Sequence, residues 1–328
     1  MWNFLIKINK RLVAAIPAMM ATGYLFGFSG PPDFLNLLKD LILPFTFLMV
    51  CPMMVALDIK SLRGGVKNAR LQLFGQGVNF AVSPFLAYGL GLIFFRDQPY
   101  MALGLLLVFL LPAGTMIISW TALAGGNIPA AVNMTLIGLV LGSLAIPVYV
   151  PALLGAGMDL NLMPVVGQIV AVVFLPMLFG YFVRPMFLKK YGAQDFKQTW
   201  APRLSSLSMA GVLGIVFVIF ALKAREISEN PIILGDILVP LLIMYGLSFG
   251  IGVVAGRLLF NRSEAIVLVY GTVIRNLSIA LAVAVNGFGA MGMDAALVIA
   301  VAYIVQIQSA VWCVKFNDRI FGPTPGIE

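Results

Sequence analysis

Residues 265–288 read AIVLVYGTVIRNLSIALAVAVNGF, and this stretch decides the fold. It is 24 residues long and carries one formal charge, Arg275. About 20 apolar residues suffice to cross a hydrocarbon core roughly 30 Å thick. The run therefore reads as a membrane-spanning helix, but an interrupted one. Tyr270-Gly271-Thr272-Val273-Ile274-Arg275-Asn276-Leu277-Ser278 sets glycine, a guanidinium, an amide and three hydroxyls in its middle. At about 1.5 Å per residue, Arg275 lies roughly 15 Å below the start of the run, too deep to reach water easily. A lone arginine at that depth costs at least about 2.5–3.5 kcal/mol. Either Arg275 meets a substrate or replaces an ion, or it satisfies the carbonyls of a broken helix.

A second run carries the same signature. Residues 101–123 contain Phe109-Leu110-Leu111-Pro112-Ala113-Gly114-Thr115, with Ser119 and Thr121 beyond and Ala124-Gly125-Gly126-Asn127 closing the segment. Proline removes a backbone donor and crowds the preceding turn, and the adjacent Gly114 makes unwinding cheap. In a bilayer, unwound backbone must face protein or a water-filled cavity. Pro112–Thr115 is thus a candidate helix break with free amides and carbonyls; the plainer alternative is a proline kink in a packed helix.

Outward from these two segments the chain is almost all span. Of the 328 residues, 61% are hydrophobic and only 10% charged, and the mean hydropathy is +1.02. A soluble domain carries roughly 25% charged residues. The runs do not alternate with period two, which excludes barrel strands. Ten spans are expected, at 12–28, 42–57, 73–95, 101–123, 130–154, 162–187, 204–222, 237–260, 265–288 and 293–315. The first follows Lys7, Lys10 and Arg11 like a signal peptide, but lacks a convincing cleavage site and reads as a span. The longest polar stretch, 189–203, is too short for a soluble core.

Charge asymmetry gives orientation. With the N-terminus cytoplasmic, 16 of the 21 Lys and Arg residues fall on the cytoplasmic side and only Lys39, Arg96, Lys223 and Arg225 on the other. An even number of spans in an inner (cytoplasmic) membrane, with both termini in the cytoplasm, is expected. The net charge of +8 is then an orientation signal and a match to anionic lipid, not a nucleic-acid footprint. Five spans in each half, residues 1–157 and 158–328, give the two halves opposite orientation, the layout of inverted repeats in secondary transporters. The interrupted fourth and ninth spans correspond under that repeat.

Candidate site residues follow from the breaks. Gly114, Thr115, Ser119, Thr272, Arg275, Asn276 and Ser278 are the substrate-binding candidates, with Pro112, Gly114 and Gly271 as break points. Gln76, Asn79, Asn133, Thr135, Gln306, Gln308 and Ser309 could converge on them; each alone reads first as an interhelical hydrogen bond worth roughly 0.6 kcal/mol. Asp58, Asp236, Glu264 and Asp294 lie near span ends, so no buried carboxylate relay is visible. Histidine is absent, and Cys51 and Cys313 lie in apolar runs as small packing residues. No Ser–His dyad, buried Asp pair or metal-ligand cluster can be assembled, so neither an enzyme nor a metal or cofactor is expected.

These residues resemble the superfamily of bile acid:sodium symporters and arsenite permeases over nearly the whole length. Cys51-Pro52-Met53-Met54-Val55-Ala56-Leu57-Asp58-Ile59-Lys60-Ser61-Leu62, Val78-Asn79-Phe80 with Pro84-Phe85-Leu86, and Phe220-Ala221-Leu222-Lys223 look like arsenite permeases. Gly114-Thr115, Leu123-Ala124 and Gly126-Asn127 look more like the symporters. The resemblance implies an all-α membrane protein of ten helices in two inverted five-helix repeats. Broken fourth and ninth helices would cross in a core domain of spans 3–5 and 8–10, with a panel domain of spans 1–2 and 6–7. The departures carry information. The permeases' cysteine in the fourth-helix break is matched here by Ala113 and Gly114. The symporters' sodium-binding Glu, Gln and Ser/Asn pair fall on Gly271, Arg275 and Ile117-Ile118, with Thr135 retained. The resemblance therefore implies a carrier without sodium sites of the symporter type, moving a small anion such as an organic acid. Efflux of arsenite or a related oxyacid without a cysteine ligand is the alternative, and a passive channel the alternative of another class.

Overall fold

A computed structural model of the chain describes residues 2–9, 11–58, 68–112, 114, 116–155 and 162–322. The chain is an all-α membrane protein: the described residues form helices and turns throughout, apart from one isolated backbone bridge. Seven helical segments are long and apolar enough to cross a membrane, and Pro99–Leu110 and Leu277–Gly287 are shorter apolar helices. The longest segment, Met163–Leu222, contains two of the expected spans, joined where Gly192 takes φ +81 and turns the chain. Both interrupted spans resolve into helix pairs. Pro99–Leu110 and Met116–Leu123 flank the first break, and Arg262–Val273 and Leu277–Gly287 flank the second.

Some expected boundaries need correction. The third span starts at Ala69, not residue 73, and the sixth continues to the kink at Gly192, not 187. Three turns are widened to i→i+5 bonding, at Val78–Val82, Val170–Phe174 and Phe196–Trp200. Each stands just before an X-Pro pair: Ser83-Pro84, Leu175-Pro176 and Ala201-Pro202. Proline has no N–H and its ring presses on the carbonyl four residues earlier; a wider turn removes the clash. For Pro84 that carbonyl is Phe80 O, which accepts the Tyr149 hydroxyl at 2.7 Å instead.

The chain divides into two compact units. Unit 1 comprises residues 1–59, 161–235 and 278–300; unit 2 comprises 60–160, 236–277 and 301–328. In unit 1, helix Ala201–Leu222 packs against Leu12–Ser29 and Ile42–Ala56. Glycine makes the approach possible. A Cβ on Gly27 would lie 2.0 Å from Ala221 O, and one on Gly211 2.5 Å from Met49 N. With no hydrophobic effect between helices in lipid, such backbone-close packing is the main attraction. At the ends of unit 1, Arg184 donates to Ala56 O at 2.8 Å and pairs with Asp58 at 3.2 Å, and Lys223 pairs with Glu226 and Asp294. Unit 2 holds both helices of the first break and Arg262–Val273 through the second break to Leu277, and it contains the Arg275 site.

Candidate functional site at two helix breaks

The two breaks meet backbone to backbone. Pro112 and Arg275 form an antiparallel bridge, and Asn276 N donates to Leu111 O at 2.9 Å. A Cβ on Gly114 would stand 3.1 Å from Arg275 O, so only glycine permits this approach without displacement. Crossing thus supplies partners for groups that unwinding frees, which is how broken backbone survives at membrane depth.

A third chain segment clamps the other side of Arg275. The Gln306 amide accepts from Arg275 N at 2.7 Å and donates to Arg275 O at 3.2 Å. Tyr245 donates its hydroxyl to the same Gln306 oxygen at 3.0 Å. Three helices therefore fix the peptide of residue 275 before its side chain does anything.

The side chain runs into the unit and is 1% exposed. One terminal nitrogen donates to Asn79 Oδ1 at 3.0 Å and to Phe109 O at 3.3 Å; the other donates to Ser83 Oγ at 3.2 Å. The guanidinium lies 4.9 Å above the Phe109 ring, and that ring meets Tyr245 edge-on at 5.2 Å. Asn79 is held in turn, because its amide donates to Gly271 O at 3.0 Å. All these acceptors are neutral. Among the described residues Arg275 forms no ion pair, and its Nε is buried with no hydrogen-bond partner. A full positive charge therefore stands uncompensated in the interior of unit 2.

The remaining sequence candidates separate by position. Asn276 lies in the crossing, and Ser278 follows it, half-buried, one residue into the next helix. The Thr135 hydroxyl donates back to Ala131 O at 2.9 Å and Ser309 to Val305 O at 2.8 Å, each within its own helix, while Thr272 donates to Leu268 O at 3.0 Å and also reaches Ser248 O of the neighbouring helix Ile232–Leu259 at 3.4 Å. Gln76 donates to Met134 O at 3.2 Å. Asn133 is buried in the same helix as Met134, and Ser119 and Gln308 are exposed. Thr115 lies outside the described residues. Ser83, the Phe109 carbonyl and Tyr245 were not among the sequence candidates. Only Ser83 had a signal: it lies four residues after Asn79, on the far side of the widened turn.

Gly271 has a specific consequence. A Cβ there would fall 2.0 Å from Met134 Sδ, and a Cβ on Gly75 would fall 2.6 Å from Met134 Cε. The Met134 thioether fills the space between two glycines, beside buried Ile117. Gln72 and Gln76 donate to Ala130 O and Met134 O, but their own oxygens are buried without partners.

Known proteins resemble this chain over much of its length. Residues 43–230 match the sodium bile acid symporter family. An arsenical-resistance protein of Corynebacterium glutamicum is 25% identical over 230 residues, covering 66% of this chain and 62% of that protein. The chain thus spans under two thirds of that relative's length. An arsenical-resistance protein of Alkaliphilus metalliredigens is 23% identical, covering 83% of this chain and 80% of its own. A Synechocystis protein described as an uncharacterized transporter is 26% identical, with 83% and 76% covered.

Proposed function

We propose, because the chain belongs to the sodium bile acid symporter family, that it is a secondary transporter of a small anionic solute of the organic-acid type, working without symporter-type sodium sites. The observation that carries this reading is the Arg275 guanidinium, 1% exposed and bound only by neutral oxygens where two broken helices cross. Asn79 Oδ1, Ser83 Oγ and Phe109 O are the kind of ligand set a hard cation takes. Here a tethered cation occupies it permanently. Its charge is not cancelled by a carboxylate, so it favours an anion in the adjoining crossing, where low dielectric strengthens the attraction. The half-helix beginning at Met116 starts at the first break, and its N-terminal partial charge acts in the same sense. Gly271 and Ile117 offer no side-chain oxygen, and Met134 occupies the space between. The charge asymmetry supports an inner-membrane protein with both termini in the cytoplasm.

The names of the Corynebacterium and Alkaliphilus relatives favour one second reading, efflux of arsenite or a related oxyacid. It would have to proceed without thiolate ligation, since neither Cys51 nor Cys313 lies in a break. The test is transport by the purified protein in vesicles, with a panel of organic anions and arsenite, with and without sodium. Saturable counterflow of an organic anion that ignores sodium is the expected result. Movement of arsenite with no organic anion would transfer the assignment to the second reading, and a flux that never saturates would indicate a channel.

A further inference from the structure

Unit 1 carries a second cationic feature, at the end where helix Leu175–Asp195 turns into Ala201–Leu222. Residues 184–203 hold five basic side chains and one acid, Asp195. The bases are interleaved with rings in a continuous strip. Lys190 Nζ lies 5.2 Å from the Tyr191 ring, which meets the Trp200 ring at 4.8 Å. Arg203 stands 5.3 Å over Trp200 and, on its other side, 5.7 Å from Trp2. Trp2 begins the short helix Trp2–Asn9, which packs on Ala201–Leu222 and presents exposed Lys7. Beneath the strip, Phe187 touches Tyr191 and Trp200, and buried Phe196 is covered by Arg184 at 4.7 Å. The rings thus form a rigid shelf with charge along its edge.

Two properties of the strip point to one ligand. The first is charge without internal compensation. Arg184 pairs with Asp58, but Lys189, Lys190, Lys197 and Arg203 form no ion pair among the described residues, and the three lysines are exposed. The second is depth. Tyr191, Trp200 and Trp2 are half-buried at the end of helices whose outer faces are apolar, with Leu178, Phe179 and Phe182 exposed further along. Indole and phenol rings favour the headgroup level, with their apolar bodies toward the acyl chains. A ligand that meets the rings with an apolar part and the cations with an anionic part is an amphiphile.

We propose that the Lys190–Tyr191–Trp200–Arg203–Trp2 strip is a binding site for the headgroup phosphate of an anionic phospholipid. The phosphate lies between Arg203 and the Lys190 and Lys197 ammonium groups, and the glycerol and upper acyl carbons lie on the Trp200 and Tyr191 faces. Arginine suits phosphate because its fork donates two parallel bonds, and a ring beneath it fixes the fork's plane. A bound lipid would bridge Trp2–Asn9 to the 189–203 turn and so stabilise unit 1.

The test uses the full chain in nanodiscs of phosphatidylcholine alone or with one third phosphatidylglycerol. Co-purified lipid is measured by native mass spectrometry, and the thermal midpoint is read alongside. The wild type should retain phosphatidylglycerol over phosphatidylcholine and melt higher in its presence. The double variant Lys190→Gln/Arg203→Gln should bind it about 25-fold more weakly, taking about 1 kcal/mol per basic residue and 1.4 kcal/mol per factor of ten. Lys190 is exposed, so the single variant Lys190→Gln should keep the phosphatidylcholine midpoint yet lose several-fold in retention, which separates the site from a folding defect. Arg96→Gln, a charge removed elsewhere, should change neither. Equal retention of the two lipids, or unchanged retention in both Lys190 variants, overturns the proposal. Protection by millimolar inorganic phosphate equal to that by the lipid also overturns it, because the ligand is then a free anion.

Discussion

Replacing Arg275 with glutamine separates a working charge from a structural one. The wild-type guanidinium makes three hydrogen bonds, to Asn79, Ser83 and Phe109 O, and lies over the Phe109 ring. Hydrogen bonds from a charged donor contribute about 1.5–3 kcal/mol each, and a glutamine amide can keep one of them. Against the loss stands the cost of holding a lone arginine at membrane depth, at least about 2.5–3.5 kcal/mol, which the substitution removes. The two nearly cancel, leaving a net destabilisation of about 1–3 kcal/mol and a melting temperature only a few degrees lower. Transport has no such compensation. A unit charge about 6 Å from an anion at an effective dielectric of 20 contributes about 3 kcal/mol, roughly a hundredfold in affinity. Arg275→Gln should therefore remain inserted and folded while its transport of the organic anion falls about a hundredfold. Arg275→Lys keeps the charge but loses the fork that reaches Asn79 and Ser83 together, and should retain part of the activity. Uptake rate and thermal midpoint are measured together in liposomes. A well-folded Arg275→Gln protein with wild-type anion transport would refute the reasoning and remove Arg275 from the site.

Four further outcomes follow from the geometry. Replacing sodium with potassium or a large organic cation should leave transport unchanged, because Met134 fills the space beside Gly271 and Arg275 takes the neutral oxygens; a steep and selective sodium requirement in vesicle uptake would contradict this. Gly27→Ala should destabilise by about 1–3 kcal/mol, since its Cβ would fall 2.0 Å from Ala221 O; an unchanged thermal midpoint would show that the two helices separate freely. Lys223 is pulled toward neutrality by burial, but Asp294 and Glu226 outweigh this and raise its pKa above the usual 10.5. The stabilisation is complete below the unfolded lysine pKa and lost as pH rises through the folded one, so the wild-type midpoint should fall above pH ~10.5, and Asp294→Asn should weaken that fall. Reporter fusions at Glu328 and in the 155–161 loop should report opposite sides of the membrane; the same side for both would sink the ten-span topology.

Much of the fold is legible in the sequence, and the reason is physical. Pro112 and Gly114 act on their own backbone, and Arg275 with Asn276 is too polar to sit in an unbroken apolar helix, so both breaks announce themselves locally. The widened turns were equally local, each tied to an X-Pro pair, yet no break shows in the hydropathy there because the helix axis continues. Partners were less legible. Gln306 and Asn79 stood out as amides in apolar runs, but a backbone carbonyl such as Phe109 O has no sequence signature. Thr272, Thr135 and Ser309 looked like ligands because a hydroxyl in a span is conspicuous; a helix offers each of them a carbonyl one turn back, which was enough.

The cluster also shows why one position cannot be read alone. A glycine at 271 suggests a lost ligand when compared with the symporters, and an arginine at 275 suggests a gained charge. The packing makes these one change. A side chain at 271 would meet Met134 Sδ, and one at Gly75 would meet Met134 Cε, so the flexible thioether would have to swing aside for either. The Gly271 carbonyl is bound to Asn79, whose oxygen receives Arg275, so the glycine, the amide and the guanidinium form a single hydrogen-bonded chain. A carboxylate introduced at 271 would have to displace the Met134 thioether. On the proposed reading, the tethered charge of Arg275 stands in place of a bound ion within a chain of the same family.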